Sequence, residues 1–186
     1  MNIAHHLIRA ARVRGERPAI ARGGTIVLSY RDLAGRASRL AGALARRFNL
    51  SPGDRVAMLA SNCEQYIELL YACWHAGMVV VPINAKLHPS EFAYIMENSG
   101  AKVCFLTRGI VDDTAIDPTV RCIEIGSGEY GDLLTTQSIA VCPRDPTDPA
   151  WLFYTSGTTG KPKGATLTHR NLIAMTLCYS TDVDPG

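Results

Sequence analysis

The chain has 186 residues, 47% apolar and 19% charged, with a formal net charge of +2. An ordinary apolar fraction, with 16 Gly and 10 Pro and no internal repeat, excludes disordered, collagen-like and fibrous classes. The longest aliphatic run, Met78–Val81, is cut by Pro82. It falls far short of the ~18 apolar residues of a membrane span, and the Arg-rich amino terminus has no apolar stretch of signal-peptide length.

Six Cys stand at positions 63, 73, 104, 122, 142 and 178 with no C-x-x-C pair, which argues against a zinc or thioredoxin-type motif. A chain of this length buries its own core without disulfide staples, so the thiols read as reduced and the location as cytoplasmic. Cys73, Cys104 and Cys178 lie among apolar residues and read as small buried hydrophobes. Charge is uneven: residues 1–47 hold ten Arg against Glu16 and Asp32. Such a basic quarter suits nucleic acid or an anionic membrane surface, but no aromatics interleave with the arginines as a single-strand platform requires. It reads instead as a solvated face, with Arg46 and Arg47 closing a helix, and no nucleic-acid partner is expected.

In chain order, residues 5–14 read as a short surface helix. Pro18–Ile20 and Thr25–Tyr30 read as short strands joined at Gly23-Gly24, a hairpin signal. Ser29-x-x-Asp32 resembles a capping box. The helix behind it keeps Leu33, Ala37, Leu40, Ala41, Leu44 and Phe48 on one face, with Arg31, Arg36, Arg39 and Arg46 off it. Ser51–Asp54 is a turn, Val56–Ala60 a buried strand, and Glu64–Ala76 a helix stopped by Gly77. His75, near that helix end, suits the dipole as a cation. Met78–Pro82 is a second buried strand, Pro89–Asn98 a helix ended by Gly100, and Val103–Leu106 a third strand. His88 before Pro89 reads as a helix-start residue with nothing nearby to make it a base. Residues 107–119 are a loop whose Asp112-Asp113 pair reads as solvated. Val120–Ile125 suggests one more strand, and residues 126–149 read as turn-rich, with Pro143, Pro146 and Pro149 marking a connector. Strands alternating with helices, several as continuous apolar runs, predict an α/β protein: a largely parallel sheet with helices on both faces.

The chemistry concentrates in residues 151–171. An apolar strand, Trp151–Tyr154, runs into Thr155–Gly164, which holds three Gly, four hydroxyls and two Lys in ten residues. Glycines let backbone N–H groups converge on an anion. Hydroxyls donate to phosphate oxygens or ligate Mg²⁺, and Lys supplies charge against a polyphosphate. The loop carries no general base and no partnered nucleophile, so by itself it binds phosphate rather than cutting bonds. It is not a Walker A loop: aligned on Gly160-Lys161, the motif finds Thr155 in place of its first Gly and Pro162 in place of its Ser or Thr. A bare Gly/Ser/Thr linker has no need of two Lys bracketing a Pro. Thr168 can cap a helix beginning at His169, and His169 reads as helping to start that helix rather than acting on substrate.

Tyr154–Gly164, YTSGTTGKPKG, resembles the signature of the adenylate-forming, AMP-binding enzymes: acyl-CoA synthetases, luciferases and peptide-synthetase adenylation domains. Three further stretches resemble family motifs in the expected order: Leu28–Leu33 (LSYRDL), His75–Asn84 (HAGMVVVPIN) and Thr168–Asn171 (THRN). The resemblance implies a two-step ligase. ATP and a carboxylic acid give an acyl-adenylate and pyrophosphate, and the thiol of CoA then displaces AMP. It assigns the ATP phosphates to Thr155, Ser156, Gly157, Thr158, Thr159, Gly160, Lys163 and Gly164; Lys161, at the motif's variable position, is counted with them as a candidate, and Thr155 is taken as a candidate Mg²⁺ contact. Tyr154 is expected to pack rather than react.

Asn84, and the stretch Asn84–Glu91 (NAKLHPSE), resemble the acyl-CoA synthetase branch and point to a fatty acid. Malonate, aromatic and carnitine-type acids stay open. The resemblance implies that residues 1–186 are the amino-terminal portion of the large AMP-binding domain. Residues 1–142 would form an αβ core segment, 143–150 a Pro-rich connector and 151–186 the phosphate-loop segment, the carboxyl-terminal catalytic domain being absent. Thr181–Gly186 reads as a turn into another element. The expectation is a ligase fragment without catalytic residues of its own, inactive alone; its exposed edge strands and apolar faces would leave it marginal, homo-oligomeric or stable only with a partner. The alternatives are a non-catalytic phosphate-binding or scaffold module, or an adenylation domain for a different acid.

Overall fold

The computed structural model describes residues 1–110, 117–155 and 161–182. Helix α1 (Ala4–Arg14) leads into a two-stranded antiparallel hairpin, β1 (Pro18–Arg22) and β2 (Thr25–Ser29). The long helix α2 (Tyr30–Arg46) follows. Its start is fixed by the expected capping box: Asp32 N–H donates to Ser29 Oγ (3.1 Å), and Ser29 N–H donates back to the Asp32 carboxylate (3.3 Å). Tyr30, read from sequence as the end of a strand, is therefore the first helical residue.

The main sheet has six strands: β3 (Arg55–Leu59), β4 (Val79–Ile83), β5 (Val103–Leu106), β6 (Arg121–Glu124), β7 (Pro149–Thr155) and β8 (Lys163–Thr168). Their spatial order is β6-β5-β3-β4-β7-β8, parallel throughout except that β8 runs antiparallel to β7. Helices α3 (Glu64–His75), α4 (Pro89–Ser99), α5 (Gly128–Leu133) and α6 (His169–Asp182) complete the fold. Period-2 alternation divides each central strand between the two faces. Val56 and Met58 pack with α1, α2 and α3, whereas Ala57 and Leu59 pack with Phe92, Ile95 and Met96 of α4. Both faces are dry, which is why these strands read as continuous apolar runs. The expected α/β fold, with a mostly parallel sheet and helices on both faces, is present.

Several local readings are corrected. Residues 126–149 are not all turn: Ser127 Oγ accepts from Tyr130 N–H (3.1 Å) and starts the short helix α5, which buries Tyr130 and Leu133. Thr181 and Asp182 belong to α6 rather than to a turn. Cys73 and Cys104 are buried, but Cys178 is exposed on α6, whose Met175, Leu177 and Tyr179 are also exposed. His75 is buried, not a solvated cation at a helix end: its Nε2 hydrogen-bonds the Ile139 carbonyl (2.8 Å), and burial pushes its pKa down, so it is neutral. Arg36 is not a free surface charge. It pairs with Glu68, a fully buried carboxylate on α3 that also accepts from the Tyr130 hydroxyl.

Gly42, mid-helix in α2, is explained by a close approach: a Cβ there would run into the Gln137 carbonyl oxygen. Gly→Ala within a free helix gains about 1 kcal/mol. Overpacking costs about 1–3 kcal/mol, which reverses the sign. Gly42→Ala should therefore lower the urea midpoint of the chain with an unchanged m-value.

Candidate functional site

Strands β7 and β8 form a hairpin whose tip is the Gly/Ser/Thr/Lys loop. Thr155 pairs with Lys163, and Tyr154 with Gly164, at the last rungs of the ladder. The hairpin thus presents the loop from the carboxyl end of β7. Of the expected phosphate-binding residues, Thr155, Lys161, Lys163 and Gly164 are described; Ser156, Gly157, Thr158, Thr159 and Gly160 lie outside the described residues, as does the Asp112-Asp113 pair. The four are exposed at the base of the loop. Gly164 has a packing reason to lack a side chain, since a Cβ would come within 3.1 Å of the Tyr154 ring.

Helix α4 braces this hairpin. Tyr154 donates its hydroxyl to Asn98 Oδ1 (2.6 Å), so it packs, as expected, and Lys161 Nζ lies 5.4 Å from the centroid of the Tyr94 ring. Tyr94 and Asn98 stand one turn apart on the same helix face. Sequence reasoning missed both: their spacing shows a shared face but not what the face meets.

Beside the hairpin is a cleft of about 730 Å³, lined by Ser61, Asn62 and Tyr66 after β3, Ile83 to Leu87 at the end of β4, and Phe153 and Tyr154 of β7. Its position follows from topology. β3 leads into α3 on one face and β4 into α4 on the other, so their loops part at the carboxyl ends of adjacent strands. That is the switch point where open α/β sheets take ligands. Asn84 holds the β4 loop by accepting from Lys86 N–H (2.9 Å), and the Thr107 hydroxyl holds the β3 loop by accepting from Ser61 N–H (3.1 Å). Among the described residues Lys86 is the charged one that lines the cleft, and no Asp or Glu does. The chemistry available is an apolar wall, amide and hydroxyl hydrogen bonds, and positive charge: binding groups rather than a base.

The histidines stand apart from this cleft. His88 caps α4, its Nδ1 accepting from Ser90 N–H (3.3 Å), as expected of a helix-start residue. His169 begins α6 and is fully buried; its Nδ1 accepts from Ile3 N–H (3.3 Å). Burial, reinforced by Arg144, pushes its pKa down to about 4. In the unfolded chain the same imidazole takes up a proton near pH 6.5. Between about pH 6.5 and 4 the unfolded state therefore binds more protons, and stability must fall as pH falls. His75 acts in the same direction. The Asp residues whose pKa is lowered (Asp32 and Asp54 among them) lose their contribution only below their ordinary value of 3.8. Urea titrations from pH 7 to 4.5 should show this decline, and His169→Gln should flatten it.

A six-stranded doubly wound sheet with a cleft at its switch point, and a glycine-rich hairpin on the same edge, defines the class of site. The model of the AMP-binding enzyme family matches residues 7–185; the chain belongs to that family. It is 39% identical to a feruloyl-CoA synthase of Amycolatopsis sp, over 89% of this chain and 33% of the relative. It is 35% identical to the fatty acid–[acyl-carrier-protein] ligase ScoC of Streptomyces coeruleorubidus, over 80% of this chain and 29% of the relative. Among solved structures it resembles o-succinylbenzoate CoA synthetase of Bacillus subtilis in complex with its acyl-adenylate intermediate, with a TM-score of 0.81 and 26% identity, covering 95% of this chain and 45% of that one. The chain spans about a third of the length of these curated relatives.

Proposed function

We propose that these 186 residues form the amino-terminal part of an ATP-dependent acid–thiol ligase. The whole enzyme activates a carboxylic acid as acyl-AMP and transfers the acyl group to the thiol of CoA. The observation that carries this reading is the β7–β8 hairpin, whose Phe153 and Tyr154 line the switch-point cleft and whose last rung pairs Thr155 with Lys163. Forming an acyl-adenylate brings a carboxylate up to a polyphosphate, so the barrier is largely charge repulsion. Positioned cations and N–H donors lower it where they are fixed in advance. In this division of labour the loop residues Thr155 to Gly160, with Lys163, hold the β- and γ-phosphates. Gly164 keeps the hairpin closed on Tyr154, and Lys161 anchors the loop to α4.

Among the described residues no group of three His, Cys, Asp or Glu forms a metal cage. Thr155 offers one hydroxyl, which fits Mg²⁺ held mainly by substrate phosphates and waters. That ion, when bound, supplies further charge screening. The cleft walls of Ile83, Leu87, Ile95 and Phe153 suit an acid with an apolar body, and a fatty acid is the substrate proposed. The relatives named for ferulate and for fatty acid share that apolar character.

The test is pyrophosphate release by the whole enzyme with ATP, Mg²⁺ and CoA against octanoate, palmitate, ferulate and malonate. Release with the fatty acids supports the reading, release with ferulate alone moves the substrate to aryl acids, and release with none overturns it. The 186-residue chain by itself should release no more pyrophosphate than its Lys163→Ala variant.

A further inference from the structure

The basic amino-terminal quarter takes no part in that site, and the structure sorts its arginines into two groups. Arg22 pairs with Glu64, Arg31 with Glu16 and Arg36 with Glu68, and Arg46 donates to Gln137. Arg9 and Arg12 belong to the second group. Among the described residues they have no ion pair or hydrogen bond. With His5 they stand at positions i, i+4 and i+7 of α1, on one face of the helix.

That face lines a groove of about 780 Å³ between α1, the first half of α2 and residues 138–141. Its walls are Ile8, Val13, Ala34, Ile139 and Val141, and among the described residues no Asp or Glu lines it. The third wall is fixed rather than loose. Ile139 N–H donates to the Ser38 carbonyl (3.4 Å), His75 Nε2 bonds the Ile139 carbonyl (2.8 Å), and Cys142 N–H donates to the His75 carbonyl (2.8 Å). Burial keeps His75 neutral, so it props the wall and adds no charge. Two guanidinium groups therefore face a preformed apolar concavity, and no carboxylate of the described residues answers them.

Arginine forks bind phosphate or carboxylate bidentately, and the volume is that of a small-molecule site. We propose that the α1–α2 groove binds an amphiphilic oxyanion. A phosphate or carboxylate head sits on Arg9 and Arg12, and a short hydrocarbon or aromatic body lies against Ile8, Ala34 and Ile139. The groove lies at the end of α3 where β4 begins, and so at the amino edge of the strands. The β7–β8 hairpin is at the carboxyl edge, so this site stands or falls independently of the ligase reading.

The test is an NMR titration of the ¹⁵N-labelled chain with octyl phosphate, octanoate and inorganic phosphate. The expected result is saturable shifts confined to α1, α2 and residues 138–141 with at least one of the two octyl probes, and weaker binding of inorganic phosphate. The tighter octyl probe identifies the head. The double variant R9Q/R12Q should weaken binding at least about tenfold, the loss of a charge-assisted pair. Should that variant fold poorly, Arg12→Gln and a salt titration of the unaltered chain serve instead, binding weakening as NaCl rises. No saturable shift, shifts centred on the β7–β8 hairpin, affinity indifferent to the arginines or to salt, or inorganic phosphate binding as tightly as octyl phosphate would each overturn the proposal.

Discussion

Replacing Glu68 with Ala should cost about 3 kcal/mol or more of folding stability, from the 3–5 kcal/mol range for breaking a buried charge pair by removing one partner. Glu68 is fully buried on α3 and joins Arg36 of α2 to Tyr130 of α5. Removing the carboxylate leaves a guanidinium without its counter-ion and a buried hydroxyl without its acceptor. Arg36 retains 31% side-chain exposure, so water answers part of its charge, and the cost falls toward the lower end. Burial and the Glu68 carboxylate both raise the Tyr130 pKa, so the tyrosine stays a neutral donor. Tyr130→Phe, losing one hydrogen bond to a charged acceptor, should cost about 1.5–3 kcal/mol. Urea unfolding measures both. In a double-mutant cycle, Arg36→Ala with Glu68→Ala should cost less than the sum of the single variants. A loss below about 1 kcal/mol for Glu68→Ala, the scale of an exposed ion pair, would show that the pair does not hold α2, α3 and α5 together.

This pair also shows where the sequence stops being legible. The apolar stripe on α2 predicts its buried face, and Arg36 falls off that stripe; only the approach of α3 turns it into a bridge. Likewise nothing marks Glu68, flanked by Ile67 and Leu69, as different from a solvent-facing acid at helical spacing. Elements governed by local rules were readable: the Ser29–Asp32 box, the Gly100 stop with φ of 60°, and strands β3 to β5 from their apolar runs. Helix α5 was not, because its six residues carry too few periods to signal a helix and its burial comes from Tyr130 packing on Phe105 (ring centroids 6.2 Å apart). Cys178 misled because its apolar neighbours on α6 are themselves exposed. An apolar neighbourhood in sequence is not burial until another element covers it.

At the site, residue types were legible and placement was not. The loop's composition points to phosphate chemistry through its glycines, hydroxyls and lysines. But the cleft belongs to the topology: it exists because α3 and α4 leave adjacent strands toward opposite faces. No local motif specifies that the loops holding Ser61 and Asn84 should open beside Tyr154. The braces from Tyr94 and Asn98 likewise depend on where α4 crosses the sheet.

The two lysines of the loop give the sharpest test of the proposed chemistry. In the whole enzyme, Lys163→Ala should lower kcat/KM for ATP by about 10²–10³, the scale for removing one fixed donor from a developing charge. Lys161→Ala should cost much less. Lys161 stands over the Tyr94 ring at 5.4 Å, and an exposed cation–π contact is worth about 0.5–1 kcal/mol, or roughly a two- to fivefold effect through loop position. Lys163 has no such contact among the described residues. It opens β8 opposite Thr155, where the ladder ends and the loop begins. Its backbone is therefore held by the sheet while its side chain stays exposed at the root of the glycine-rich loop. A cation fixed at its root and free at its tip suits contact with a polyphosphate. Lys163→Arg should restore part of the activity, because charge is kept and geometry is changed. Stability should fall by no more than about 1 kcal/mol in Lys161→Ala, the cation–π contact being all it loses, and move within about 0.5 kcal/mol in Lys163→Ala, an exposed substitution. The measurement is initial rates of pyrophosphate release over a range of ATP concentrations, with urea midpoints as the control. Equal losses for the two lysines would place both on the phosphates and remove Lys161 from its bracing role. An unimpaired Lys163→Ala enzyme would take the phosphate contact away from Lys163 and leave it to the loop's backbone and hydroxyls.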